Sequence, residues 1–364
     1  MYFSKQEQLK SALIEGQRNP KIASYLLFVA AENHPDKASF EEILALNEKP
    51  LLGAIFPEII GEGIRYKTGF ALVPLEERLQ VACFESQQGI VSPEKLTQWL
   101  EEQPGEAESV FCFVNAFWSE KTTFLHALYD VFGPFVNYLG GGAGSLNFKS
   151  FPCILSNRQV IEQGAVIGLM NETVQLGVAH GWQPISDPIK VTQTKGNTIV
   201  SLNWKPAFDV YRELIESHSQ QRICPENFFD IARAYPLGLV RLDDEMIIRD
   251  PYATEAGRLH IVDEVPEGEY IRIMHGDLHS LLKGAQEAVG SALNGQTAEG
   301  NEVCFDCISR VLFMQSDFQQ ELTFLNQNHP MDGALSVGEI ANIGSASLEL
   351  FNKTVVVARW KKTN

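Results

Sequence analysis

The sequence has no stretch of about 18 uncharged apolar residues, the length a membrane-spanning helix needs. Its first residues, Met-Tyr-Phe-Ser-Lys-Gln-Glu-Gln, hold no basic patch followed by an apolar run, so no secretory signal is expected and the expected location is the cytoplasm. Positive charge is scarce. Against 46 Asp and Glu stand 29 Lys and Arg, a formal charge of -17, and no long Lys/Arg cluster offsets it locally. Such a surface repels nucleic-acid phosphates and anionic lipid heads, which excludes nucleic acid and membrane as expected partners. Cysteine is sparse too. Most of the six sit in apolar, strand-like surroundings and read as buried reduced thiols rather than a disulfide framework. No His-Glu-x-x-His, nucleophile elbow or kinase-like glycine loop is present, so no linear catalytic signature points to an enzyme.

What the sequence does have is length, apolar content and repetition. Its 364 residues, 45% hydrophobic, suffice for two domains with proper cores. An amphipathic stretch, an apolar strand, a second helix-like run and a Gly-Ala pair occur in that order three times. The strands are Ser24 to Ala30, Val110 to Ala116 and Val303 to Ile308; the pairs are Gly53-Ala54, Gly142-Ala143 and Gly333-Ala334. From Phe28 to Gly53 is 25 positions, from Phe113 to Gly142 is 29 and from Phe305 to Gly333 is 28, and β-rich sequence follows each pair. Recurrence of a whole order implies one supersecondary unit used three times, with the pairs as turns. The fold expected is mixed α/β: two related domains of repeated helix-strand-helix-turn-strand units with mixed sheets. The polar stretch from Ser217 to Pro225 divides them into residues 1–220, with two copies, and 221–364, with the third.

The run Gly164-Ala-Val-Ile-Gly-Leu169, with Val178-Ala-His-Gly-Trp-Gln-Pro184, Lys190-Val-Thr192, Gly196-Asn197 and Lys205-Pro-Ala207 to Tyr211, resembles the N-terminal part of FIST proteins. Ile248-Arg-Asp-Pro251, Glu267-Gly268, Cys307-Ile-Ser-Arg310, Gly338-Glu-Ile340 and Leu350-Phe-Asn-Lys-Thr354 are similar to the partner domain of that family. The resemblance implies a bacterial sensory module for small, amino-acid-like ligands, paired with histidine kinases or cyclic-dinucleotide signalling proteins. It also implies that haem is an allowed cofactor, since a subset of the family resembles haem-binding nitric-oxide sensors. Where the family commonly has an aromatic pair before Gly-Glu-Ile, this chain has Leu335-Ser336-Val337.

The residues themselves nominate a site. Leu139-Gly-Gly-Gly-Ala-Gly-Ser-Leu-Asn147 lacks the lysine and following helix of a phosphate loop, so Gly142, Gly144 and Ser145 read as a side-chain-free wall for a ligand or for another strand. Arg310 and Arg249 offer bidentate contacts to a ligand carboxylate; for Arg249, an ion pair with Asp250 is the alternative. Glu339 is placed to accept from a ligand amine, and Glu58 falls at a comparable place in the first copy, each with a structural hydrogen bond as its alternative. Cys307 reads as a buried or site-facing thiol. Zinc at Cys304 and Cys307 is disfavoured because residues three apart on a strand face opposite ways. His180, beside Gly181-Trp182, is the histidine that would ligate iron if haem were bound, a backbone hydrogen bond being its ordinary role. The favoured function is a cytoplasmic sensor that binds a small metabolite between its domains and signals to a separate partner, with no cofactor required and homo-oligomerisation left open. A haem-based nitric-oxide sensor and an enzyme using Cys307 or Glu339 are the rivals.

Overall fold

Uninterrupted apolar runs bounded by amphipathic ones demand central strands buried on both faces and covered by helices. The computed structural model describes residues 1–86, 93–103, 107–157, 159–241, 246–293, 300–342 and 348–361. A short strand β1 (Tyr2–Phe3) precedes the first unit: α1 (Gln6–Gln17), β2 (Ser24–Ala30), α2 (Lys37–Leu44), β3 (Leu51–Phe56), β4 (Glu58–Gly61), β5 (Ile64–Tyr66), β6 (Phe70–Leu75) and β7 (Gln80–Glu85). The second unit repeats the order with α3 (Pro93–Glu101), β8 (Ser109–Asn115), α4 (Lys121–Phe132), β9 (Asn137–Ala143), β10 (Ile154–Ser156), β11 (Gln159–Ile161), β12 (Gly164–Met170) and β13 (Gln175–Ala179).

An inserted segment follows: β14 (Gln183–Pro184), β15 (Ile189–Thr194), β16 (Thr198–Leu202), β17 (Lys205–Pro206), α5 (Ala207–Ser219), α6 (Phe228–Ala232), β18 (Leu237–Val240), β19 (Met246–Arg249), β20 (Pro251–Glu255), β21 (Arg258–Ile261) and β22 (Tyr270–His275). Its strands make a nine-stranded antiparallel sheet of their own. The third unit is α7 (Leu278–Leu293), β23 (Asn301–Cys307), α8 (Ile308–Met314), α9 (Phe318–Leu325), β24 (Asp332–Ser336), β25 (Glu339–Ala341), β26 (Glu349–Phe351) and β27 (Val355–Trp360). The mixed α/β class expected from the repeat is the class observed.

Pairing shows what the repeat is for. The three remaining sheets run β1-β6-β2-β3-β10-β11, β7-β12-β8-β9-β25-β26 and β13-β27-β23-β24-β4-β5. In each, the unit's first two long strands are parallel, and the long strand after its hairpin (β6, β12 or β27) is antiparallel to the first. The hairpin at the far side comes from another unit. Unit one lends β4-β5 to unit three, unit three lends β25-β26 to unit two, and unit two lends β10-β11 to unit one. The exchange is cyclic, so the molecule has a pseudo-threefold axis on which Phe28, Phe113 and Phe305 meet. Their ring centroids lie 6.0, 5.8 and 5.6 Å apart and all three are fully buried. Tilted and edge-on aromatic contacts at such distances add about 0.5–1.5 kcal/mol each beyond burial.

Register corrects two details of the repeat. Phe28 lies opposite Ala54 and Phe305 opposite Ala334, but Phe113 lies opposite Gly141, so the second copy's equivalent pair is Gly140-Gly141. These pairs are strand interiors, not turns. Likewise Ile59 faces Ala334 and Ile154 faces Ala54 where Glu339 faces Gly141; Glu58 is thus one residue out of step with Glu339, and alternation puts it on the other face of its strand. The glycines of β9 admit another strand's corner. A Cβ at Gly142 would stand 2.1 Å from the Val337 carbonyl oxygen. There the chain leaves β24 for β25, with Val337 N–H donating to Gly142 O at 2.9 Å and Gly142 N–H to Gly338 O at 2.8 Å.

Candidate functional site

Superposing the three copies on their phenylalanines makes one of them stand out. After Phe28 come Val29 and Ala30, after Phe113 come Val114 and Asn115, and after Phe305 come Asp306 and Cys307. Only the third copy places an acid directly after the phenylalanine of its central strand. Around that strand end gather Arg310 from α8, Glu321 from α9, Ser336 and Glu339 from either side of the β24–β25 corner, and Lys353 and Thr354 from the turn into β27. Each is at most 1% exposed.

Arg310 organises the outer half. Nε donates to Glu321 Oε1 at 3.0 Å and lies 3.2 Å from Asp306 Oδ1; Nη2 donates to Glu321 and to Leu281 O at 3.1 Å. Nη1 donates to His180 O at 2.7 Å and Lys353 O at 3.5 Å. All five N–H groups are engaged by the protein itself. Burial opposes the guanidinium charge, but Glu321 and Asp306 outweigh it and hold the pKa above the usual value. Neither Asp306 oxygen accepts a hydrogen bond among the described residues, and burial, then the neighbouring Glu321, push its carboxyl well above the ordinary range. One guanidinium between two carboxyls compensates one charge, and the direction of the shift favours the neutral, protonated form of Asp306.

The inner half is Glu339, which accepts from Ser336 Oγ at 2.8 Å and from Thr354 N–H at 3.3 Å. Burial raises its pKa well above the carboxylate range despite those bonds. Burial and Glu339 likewise push the Cys307 thiol up, so it is a neutral thiol rather than a thiolate nucleophile. Lys353, at a left-handed φ of 51°, sets its ammonium 3.3 Å from Asp250 and 5.1 Å over the Trp182 ring.

Asp306→Asn tests the proton. A folded-state pKa above the unfolded one contributes stability that is complete below the usual carboxylate range, about pH 4, and is lost as pH rises through the folded value. The variant carries its donor at every pH, so its melting temperature relative to wild type is expected to rise between about pH 4 and pH 8. A difference that does not change with pH would show that no proton is held.

The other nominated residues are placed apart from this cluster or at its margin. Arg249 is buried with Nε on Glu264 O and Nη1 on the carbonyls of Ile248 and Leu350; Asp250 pairs with Lys353 instead. Glu58 is bound through both oxygens by Arg65 within the β4–β5 hairpin. Gly142 touches the corner that leads into Glu339, Gly144 donates to Ile55 O at 2.8 Å, and Ser145 Oγ is buried without a partner among the described residues. A surface cavity of about 240 Å³, lined by Glu172, Thr173, Gln175, Arg359, Trp360 and Lys361, lies at the far end of β27 from the cluster. Sequence reasoning missed Asp306 and Glu321. The repeat carried a signal for the first, a lone acid against Val29 and Val114; the second left none, since its partner is eleven residues away on another helix.

Fold and cluster define a mixed α/β protein whose polar pole belongs to one of three exchanged units. The chain belongs to the FIST family: the FIST N domain matches residues 25–205 and the FIST C domain residues 207–342. FIST domains are associated with signal transduction and the sensing of small ligands. An uncharacterized protein of Methanocaldococcus jannaschii is 21% identical over 174 residues, which is 44% of this chain and 33% of that one. The chain thus spans about a third of that curated relative. No helix among the described residues is long and apolar enough to cross a membrane.

Haem is tested against His180. The Trp182 backbone N–H donates to its Nδ1 at 2.9 Å, so the ring proton sits on Nε2 and no lone pair is left for iron. Burial, then Arg310, lowers its pKa to about 4 and keeps the ring neutral. His180 as placed does not fit an axial ligand.

Proposed function

We propose that this protein is a sensor for a small amine-bearing, amino-acid-like metabolite, which binds at the carboxyl end of β23 and displaces the protons that neutralise the buried acids there. One observation carries the reading: two buried carboxyls, Asp306 and Glu321, share a single guanidinium and a third, Glu339, is buried at the same strand end, a grouping found among the described residues in one of three equivalent units. An ammonium group supplies the missing positive charge and the donors that Asp306 lacks. Arg310, with every N–H engaged, positions the acids rather than receiving the ligand carboxylate. Because the acids are sealed, occupancy requires the β24–β25 corner to move. That corner is hydrogen-bonded to the second unit's β9, so filling the third unit's site displaces the second, and the signal passes to a separate signalling protein such as a kinase or cyclic-dinucleotide enzyme.

Thermal-shift and calorimetric titration of amino acids and simple amines test it. At a hundredfold excess over Kd the stabilisation is about 2.7 kcal/mol, a rise of roughly 5 °C, with proton release that scales with buffer ionisation enthalpy. Asp306→Asn, which keeps the shape and removes the titratable charge, is expected to abolish the shift. A panel without a shift, or a shift that survives Asp306→Asn, overturns the assignment.

A further inference from the structure

Among the described residues, three two-residue hairpin turns place both central residues at positive φ: Glu62-Gly63 (50° and 77°), Ala256-Gly257 (48° and 78°) and Asn203-Trp204 (47° and 61°). Two follow the steric rule and put glycine second. The third puts a tryptophan there, and its side chain is 79% exposed. A bulky aromatic gains nothing in the left-handed region, and here it is not repaid by burial.

The turn is nonetheless held firmly. Asn203 N–H donates to Lys190 O at 2.9 Å, Asn203 Oδ1 accepts from Lys190 N–H at 3.1 Å, and Trp204 N–H donates to Thr192 Oγ1 at 3.0 Å. Lys190 is the register partner of Tyr270, itself 48% exposed, and Lys205 follows Trp204 in the turn. Neither Lys190 nor Lys205 forms an ion pair among the described residues. An exposed indole carried on a strained, hydrogen-bonded turn beside two lysines without ion pairs, on a chain of formal charge -17, is a local departure from the surface's acidic character.

We infer that Trp204, with Lys190, Lys205 and Tyr270, is the docking tip for an acidic segment of a separate protein that seats an apolar side chain against the indole. This rests on the proposal that the signal leaves through a separate protein, and it names the surface and the chemistry of that contact. Tryptophan is the residue type most often dominant at such contacts, and the two lysines select the partner's sign.

The test uses the full chain and a random-peptide library displayed on phage, followed by titration of the selected peptides. Trp204 is the most exposed of the five indoles, Trp99 being half-buried and Trp118, Trp182 and Trp360 buried, so the fluorescence change lost in Trp204→Gly reports binding at the turn. Acid-rich peptides carrying an aromatic or aliphatic residue are expected, with affinity that falls with salt and drops at least about tenfold in Trp204→Gly. Trp204→Gly relieves the turn and is expected to melt at the same temperature or about 2 °C higher. A lower melting temperature would make Trp204 a structural residue and overturn the proposal. So would peptides that are not acidic, or that bind Trp204→Gly equally well. Self-association in sedimentation that Trp204→Gly removes would assign the face to a second copy instead. The amine-induced thermal shift is expected intact in Trp204→Gly, so loss of the docking result leaves the ligand assignment standing, and the reverse.

Discussion

Cut between residues 205 and 206, where the two matched family domains meet, the chain is expected to give two polypeptides that fail to fold separately and recover together. The cyclic exchange of hairpins is the reason. Residues 206–364 keep β23, β24 and β27 but lose β4, β5 and β13, half of that sheet's strands. Both long edges of what remains are exposed, and Val355, Val356 and Val357 stand on one of them. Unpaired apolar edges of this kind recruit other chains. Residues 1–205 keep one complete six-stranded sheet but lose β25 and β26 from the next, which bares the glycines of β9. They also lose Phe305 from the aromatic triad, and emptying a site of that size costs about 3–5 kcal/mol. The separated halves should be aggregated or without cooperative melting in circular dichroism. Coexpressed, they should copurify and melt in a single transition below that of the intact chain. A sharp melting transition for residues 206–364 alone would show that the borrowed hairpin is dispensable.

Much of this architecture was legible in the sequence, because apolar runs and their order are local properties that survive translation into strands and helices. The three phenylalanines chosen as landmarks are the residues that meet on the axis. What stayed hidden was partnership between distant residues. Nothing in Glu58-Ile-Ile-Gly61 says that it pairs with Asp332–Ser336 rather than with its own unit, since exchange is decided by where the chain turns after β3. The two-residue offset in the second copy arose because a run of three glycines offers no side chain by which to fix register. At the site, residue type alone nominated Arg310, Glu339 and Cys307, which do converge. It gave no sight of Glu321, and so left Arg310 with free donors that the fold in fact occupies.

That occupation leads to the second large effect. Arg310→Met is expected to destabilise the protein by about 3–5 kcal/mol, measured by urea unfolding at neutral pH. The loss comes less from the bonds than from the carboxyls left behind, since Asp306 and Glu321 would face a low-dielectric interior with no counter-charge. Acid should narrow the deficit, because both states then carry protonated carboxyls. The sister units show the remedy. At the positions of Asp306 they carry Val29 and Val114, packed without any charge. The triple variant Arg310→Met, Asp306→Val, Glu321→Leu should therefore regain wild-type stability to within about 1–2 kcal/mol, as apolar replacement of buried ion clusters generally does. If it folds as well as wild type while failing to respond to amines, the charged cluster exists for recognition and costs the fold something to keep. If it remains as unstable as Arg310→Met, the five-bonded arginine is structural cement for the His180, Leu281 and Lys353 carbonyls, and the ligand assignment loses its footing.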